Sequence, residues 1–192
     1  MPHPATLSER FTYADLLTWP EDERWELHEG VPVSMSPAPS TSHQRVAGEL
    51  FRQIANFLVD RPCEVFAAPF DVRLAPVDAP PEQVDTVVQP DLTVVCDATR
   101  LDERGYQGGP EWVIEVLSPS TSARDQITKL AFYEAHGVRH YWMVHPIEHV
   151  LTVYTRRDPA QPFDRPRVSE MQGQQPSGVF DALTIDWDRL TA

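Results

Sequence analysis

The sequence holds a single lysine. Fifteen of its sixteen basic residues are arginine, the exception being Lys129, and with 29 acidic residues among 192 the formal charge is −13. That balance excludes a surface built for general attraction to a phosphate backbone, whose footprint is a basic patch on a basic domain. Any nucleic-acid role has to be local or metal-assisted. Only two cysteines occur, Cys63 and Cys96, without CxxC spacing. They are too few for a disulfide framework, so a reducing cytoplasm is the expected compartment, and neither stands in a catalytic-thiol motif. No apolar run approaches the roughly 18 residues that cross a bilayer, and the opening MPHPATLSER lacks a basic stretch followed by a long apolar one. Around Ser118, Ser120 and Ser122 there is no GxSxG, which removes the usual serine-hydrolase signal. His145 and His149 flank a proline turn instead of sharing a helical face, which argues against zinc.

Proline, by contrast, is plentiful, 19 residues in clusters, about twice the usual share. Ala75 to Gln89 and Asp158 to Gly178 therefore read as long surface excursions. An apolar content of 41% is enough for a real core, and the length predicts one domain over residues 1–192. Phe11 to Trp19 reads as a short helix ended by Pro20. Trp25 to Leu27 begins an edge strand that turns through Glu29-Gly30 into Val31 to Met35, a hairpin. Ser40, Thr41 or Ser42 can cap a helix whose Val46, Leu50, Ile54, Phe57 and Leu58 recur at helical spacing. Glu64 to Ala68, Phe70 to Leu74, Asp91 to Cys96 and Trp112 to Leu117 read as successive strands, the last two apolar enough to be central. A capping box at Ser122 to Asp125 opens a helix to about His136, with Gly137 just past its end. His140 to Val144 and Val150 to Tyr154 follow as strands. A helix between the strands Trp112 to Leu117 and His140 to Val144 implies a crossover that makes them parallel. The whole is an α/β fold with a mixed central sheet flanked by helices.

Alternation in WVIEVL puts Glu115 on one face with Val113 and Leu117. An ionised carboxylate there is costly unless it is paired or bound to metal, so Glu115 is a candidate site residue; the plain alternative is a buried arginine partner. Asp91, after Pro90 at a strand head, is ordinary turn chemistry taken alone. If its strand neighbours that of Glu115, the two carboxylates and a main-chain carbonyl, that of Val116, could supply oxygen ligands to Mg²⁺ or Mn²⁺. Lys129 lies four residues after Asp125, so it can form a surface pair with it. Alternatively its compact ammonium turns toward Glu115 and a developing phosphate charge.

Asp91 in PDLTVV, Glu115 in EWVIEVLSPST and the segment RDQITKLAFYEAHGVRHYWMVHP together resemble the bacterial Uma-two (Uma2) family, a group placed with the PD-(D/E)xK restriction-endonuclease-like superfamily. The resemblance covers nearly the whole chain. It implies a three-layer core of order αβββαβ, metal-dependent cleavage of phosphodiester bonds in DNA, and homodimers. WELHEG resembles the family's glutamate-containing first hairpin, which puts Glu26 forward as an accessory acid. His43 in SHQRVAGEL resembles a frequent family histidine and is a secondary candidate, as is Asp125. One departure stands out: two residues after Glu115 the superfamily pattern has lysine, and here it is Leu117. The catalytic ammonium then has to come from Lys129. The competing function is a catalytically silent nuclease-like scaffold that binds a protein partner or dimerises through the strands from Tyr141 to Tyr154. A third is hydrolysis of a phosphoester outside nucleic acids.

Overall fold

A computed structural model describes residues 9–20, 22–35, 39–118 and 123–190, the side chains of the last stretch from 126 onward. The elements in chain order open with α1 (Tyr13–Leu16), β1 (Trp25–His28), β2 (Val31–Ser34) and α2 (Thr41–Leu58). Next come β3 (Glu64–Ala67), β4 (Asp71–Arg73), β5 (Val87–Val88), β6 (Leu92–Val95), β7 (Leu101–Asp102), β8 (Gly105–Gln107) and β9 (Trp112–Val116). The chain closes through α3 (Ala123–Ala135), β10 (His140–His145), β11 (Val150–Thr155), β12 (Arg167–Glu170), β13 (Gln174–Pro176) and β14 (Thr184–Asp186).

The hairpin forms because Glu29 and Gly30 both take positive φ, 49° and 80°, the two-residue geometry that matches the twist of antiparallel strands. A side chain at position 30 would also lie 2.9 Å from the Cβ of Arg10. On α2, Ser40 Oγ accepts the His43 amide as N-cap, and the stripe Val46, Leu50, Ile54 and Leu58 is buried. Each such side chain contributes about 1.5–3 kcal/mol as an upper estimate.

Sheet order follows from these faces. The main sheet runs β12-β11-β10-β9-β6-β3, and the second runs β2-β1-β5-β4-β8-β7. β9 and β10 pair in parallel, Trp112 opposite His140 through Val116 opposite Val144, with α3 as their crossover. Thus α2, β3, β6, β9, α3 and β10 reproduce the implied helix, three strands, helix and strand. α2 covers one face of the main sheet, packing on Leu92, Trp112, Ile114 and Trp142. The other face meets α3 and the second sheet, where Phe132, Tyr133, Val72 and Val88 pack with Val113 and Tyr141.

Several expectations need correction. The first helix is one turn, Tyr13–Leu16. The β1 strand is not an edge, since it lies between β2 and β5. The stretch from Ala75 to Gln89 is not simply an excursion: Val84, Val87 and Val88 are buried, and β5 joins β1 to β4. The stretch after Asp158 likewise holds β12 and β13. Cys63 and Cys96 are joined as a disulfide. Their 33-residue separation hid this; register brings it about, because Glu64 faces Val95 across β3 and β6 and the next residues outward face each other. The Ser122 to Asp125 capping box lies outside the described side chains. Tyr141 and Trp142 are core residues, each 1% exposed. β10 and β11 have strands on both sides, so they offer no free edge for dimerisation.

The C-terminal turn of α3 is anchored from across the chain by Arg156, which is 4% exposed. Its Nε donates to the Val138 carbonyl at 2.7 Å, its Nη2 to the Tyr133 carbonyl at 2.8 Å and its Nη1 to the Gln161 carbonyl at 2.8 Å. Arg156→Ala leaves buried acceptors short of donors and is expected to cost about 3 kcal/mol. Urea unfolding checks this, and a loss below about 1 kcal/mol would show that the anchor is dispensable.

Candidate active site

The alternation of β9 turns Trp112, Ile114 and Val116 toward α2 and Val113, Glu115 and Leu117 toward α3. Glu115 is thereby set in an apolar face at the seam between the two sheets. α3 satisfies it from two successive turns: Lys129 Nζ donates to Glu115 Oε1 at 3.0 Å and the Tyr133 hydroxyl donates to the same oxygen at 2.7 Å. Residues four apart lie on one helical face, so a single rotation of α3 aims both.

Lys129 also donates to Glu26 Oε1 at 2.9 Å, tying the hairpin of the second sheet to the main sheet. Glu26 is further held by the Gln89 amide, donating to Oε1 at 2.9 Å, and by His28 Nε2, 2.8 Å from Oε2. Gln89 extends the network outward, since its side-chain amide donates to Asp71 Oδ1 at 2.8 Å and its oxygen accepts from Arg24.

Asp91 arrives from the adjoining strand. Leu92 pairs with Ile114 across β6 and β9, so the strand head bearing Asp91 comes alongside Glu115. Its Oδ2 accepts the Val116 amide at 2.7 Å and stands 3.1 Å from His43 Nε2. The side chains remain partly reachable, 21% exposed for Asp91, 16% for Lys129 and 12% for Glu115. All of these, with Glu26 and His43, line one cleft of about 670 Å³.

The electrostatics follow from burial against pairing. Burial pushes Glu115 up to about 7; Lys129 opposes this, while the Asp91 and Glu26 charges reinforce it. For Glu26 burial also acts upward but is outweighed, chiefly by Lys129 and then by hydrogen bonds from His28 and Gln89, so its carboxyl is held down at about 2. Burial alone would lower Lys129, yet the Glu115 and Glu26 carboxylates raise it above the ordinary lysine range. The hydrogen bond to Asp91 raises His43 against the effect of burial.

Among the described residues no group of three or more His, Cys, Asp and Glu is arranged to hold a metal ion. A small hard cation asks for less, because Mg²⁺ keeps several waters and uses one or two carboxylates. The donor chemistry fits: three carboxylates, Glu26, Asp91 and Glu115, line the cleft with one ammonium, and the charges of the first two add to burial in raising Glu115.

The structure thus brings Asp91, Glu115, Lys129, Glu26 and His43 together, with the Val116 amide bound to Asp91. The side chain of Asp125 lies outside the described residues. Sequence reasoning missed Tyr133, His28 and Gln89. The i,i+4 spacing from Lys129 could have found Tyr133, and period two along β1 could have found His28. Gln89 acts toward Glu26 through its main chain, which carries no residue signal.

With this geometry in view, comparison with known proteins is informative. The chain matches the Uma2 family, described as "Putative restriction endonuclease", over residues 13–184. It is similar in structure to the crystal structure of a putative nuclease belonging to DUF820 from Anabaena variabilis ATCC 29413. The TM-score is 0.71 and the identity 22%, over 94% of this chain and 97% of that one. No curated protein matches. Fold and sequence therefore agree, and the chain belongs to the Uma2 family, with a restriction-endonuclease-like fold.

Proposed function

We propose that this chain, as one domain over residues 1–192, is a Mg²⁺- or Mn²⁺-dependent endonuclease that hydrolyses phosphodiester bonds in DNA. The observation that carries the proposal is the meeting of Asp91, Glu115 and Lys129 at one cleft from two neighbouring strands and the following helix. Asp91 and Glu115, with the Val116 carbonyl, are the metal donors. A bound ion there would supply Lewis-acid polarisation of a phosphoryl oxygen. Lys129, held as an ammonium by Glu115 and Glu26, acts as a hydrogen-bond donor that positions water and stabilises charge growing on the phosphate; it is not a base. Glu26 holds Lys129 in place, and His43 orients Asp91. Asp125 remains a secondary candidate. A homodimer belongs to the same proposal, and so does a cytoplasmic location, where Cys63 and Cys96, joined in this structure, would be held as the dithiol.

The scaffold reading rests on the acidic charge and on Leu117 in the motif-lysine position; the bond from Lys129 on α3 to Glu115 supports the enzyme reading instead. The test is calorimetric titration of Mn²⁺ beside plasmid nicking. Since the ion requires ionised Glu115, which burial holds up to about 7, affinity should rise about tenfold between pH 6 and pH 8. A chain that takes up no Mn²⁺ at either pH and leaves plasmid intact rules the proposal out.

A further inference from the structure

We propose that the cleft beside the carboxylates receives an unpaired nucleotide, so that the chain acts on single-stranded DNA in preference to duplex. This rests on the nuclease reading above and names its substrate class. Three observations carry it: the size of the cleft, the chemistry of its wall and the shortage of positive charge around it.

The cleft encloses about 670 Å³, within the roughly 300–1,000 Å³ that small ligands occupy. Its α2 wall runs from His43, bonded to Asp91, to Phe51, a rise of about 12 Å along the helix. Val33, Met35, Ala47, Phe51 and Leu92 make this part of the lining apolar. At Gly48 a side chain would meet nothing within 4 Å, so the wall is open there. An apolar, aromatic-bearing recess next to a phosphate-cleaving centre suits a base face, which stacks on any aromatic ring whatever its sequence. A base still paired in a duplex could not enter; one at an end, in a loop or in a single strand could.

Charge points the same way. Proteins that grip duplex DNA through its backbone neutralise about six to ten phosphates. Among the described residues the lining has two permanent cations, Arg24 and Lys129, and both are already engaged, Arg24 with Gln89 and Lys129 with two glutamates. A chain of charge −13 gains little from a long run of phosphates and loses least with a substrate that brings one or two into the cleft.

The test uses the full chain with Ca²⁺ and two fluorescein-labelled DNAs of one sequence, a single-stranded 12-mer and a duplex closed by loops of abasic spacer at both ends. Anisotropy titrations compare wild type with Gly48→Leu, which fills the recess without touching the carboxylates and favours the helix. Wild type should bind the single strand at least about tenfold more tightly than the closed duplex, and Gly48→Leu should lose about tenfold on the single strand alone. Thermal melting of the variant should be no lower than that of wild type, and its Mn²⁺ titration should match. Equal or tighter binding of the closed duplex, no binding of either DNA, or a variant that binds the single strand as wild type does would overturn the inference. The nuclease reading is judged separately, by wild-type Mn²⁺ uptake and plasmid nicking, and survives any of these results if both occur.

Discussion

Lys129→Met is expected to lower the unfolding free energy at pH 7 by about 3–5 kcal/mol and to reduce phosphodiester cleavage by about 10²-fold or more. The lysine is the cation shared by two carboxylates at 2.9 Å and 3.0 Å, and it is only 16% exposed. Without it, Glu26 keeps His28 and the Gln89 amide and Glu115 keeps the Tyr133 hydroxyl, but the two buried carboxylates lose the cation they share, which is the costly way to break a buried ion pair. Acid should rescue the variant. In wild type Glu26 is held down at about 2, so its contribution is present above the ordinary carboxylate range and is lost as pH falls toward 2. Glu115 is held up near 7, so its proton binding favours the folded state at low pH and that gain fades as pH rises through 7. Removing the ammonium moves both carboxyls upward. The variant therefore gains more than wild type does on going from pH 7 to pH 5, and the gap between them narrows. Adding Glu115→Gln to the variant should recover part of the loss at pH 7. Urea unfolding at the two pH values measures all of this, and a deficit under about 1 kcal/mol, or one equal at both pH values, would show that Lys129 is not the shared counter-charge. A scaffold would lose stability in the same way but would have no turnover to lose.

Asp91→Ala is expected to abolish measurable Mn²⁺ binding and to cut plasmid nicking by about 10³-fold, the several kcal/mol that a bound cation contributes to charge stabilisation. Its cost in stability should be smaller, about 1–3 kcal/mol, because the buried Val116 amide and His43 lose their acceptor. The two effects separate in Asp91→Asn, whose side-chain oxygen can still accept from Val116. Stability should then be nearly restored while binding remains lost. Calorimetry with circular dichroism follows both quantities, and an Asn variant that binds Mn²⁺ as wild type does would remove Asp91 from the ligand set.

Where local pattern alone specifies an element, the sequence revealed it. The stripe Val46, Leu50, Ile54 and Leu58 marked α2, and alternation in WVIEVL put Glu115 on the face that α3 covers. The parallel pairing of β9 and β10 followed from the helix between them. β5 was illegible because two valines inside a proline-rich stretch become a strand only by pairing with Leu27 on one side and with Val72 and Arg73 on the other. The Cys63–Cys96 disulfide was hidden for a related reason, since register between β3 and β6 brings it about. The site divided along the same line. Asp91, Glu115 and Lys129 are recognisable by residue type and order, whereas Gln89 serves Glu26 through a backbone amide that any residue but proline could offer.

The most direct measurement is a crystal grown with Mn²⁺ and its anomalous difference map. An ion bound through carboxylate oxygens lies about 2.0–2.6 Å from them. The account predicts a peak at that range from both Asp91 and Glu115, with the Lys129 ammonium still on Glu115. Full occupancy elsewhere, with the space between these two carboxylates empty, would contradict it.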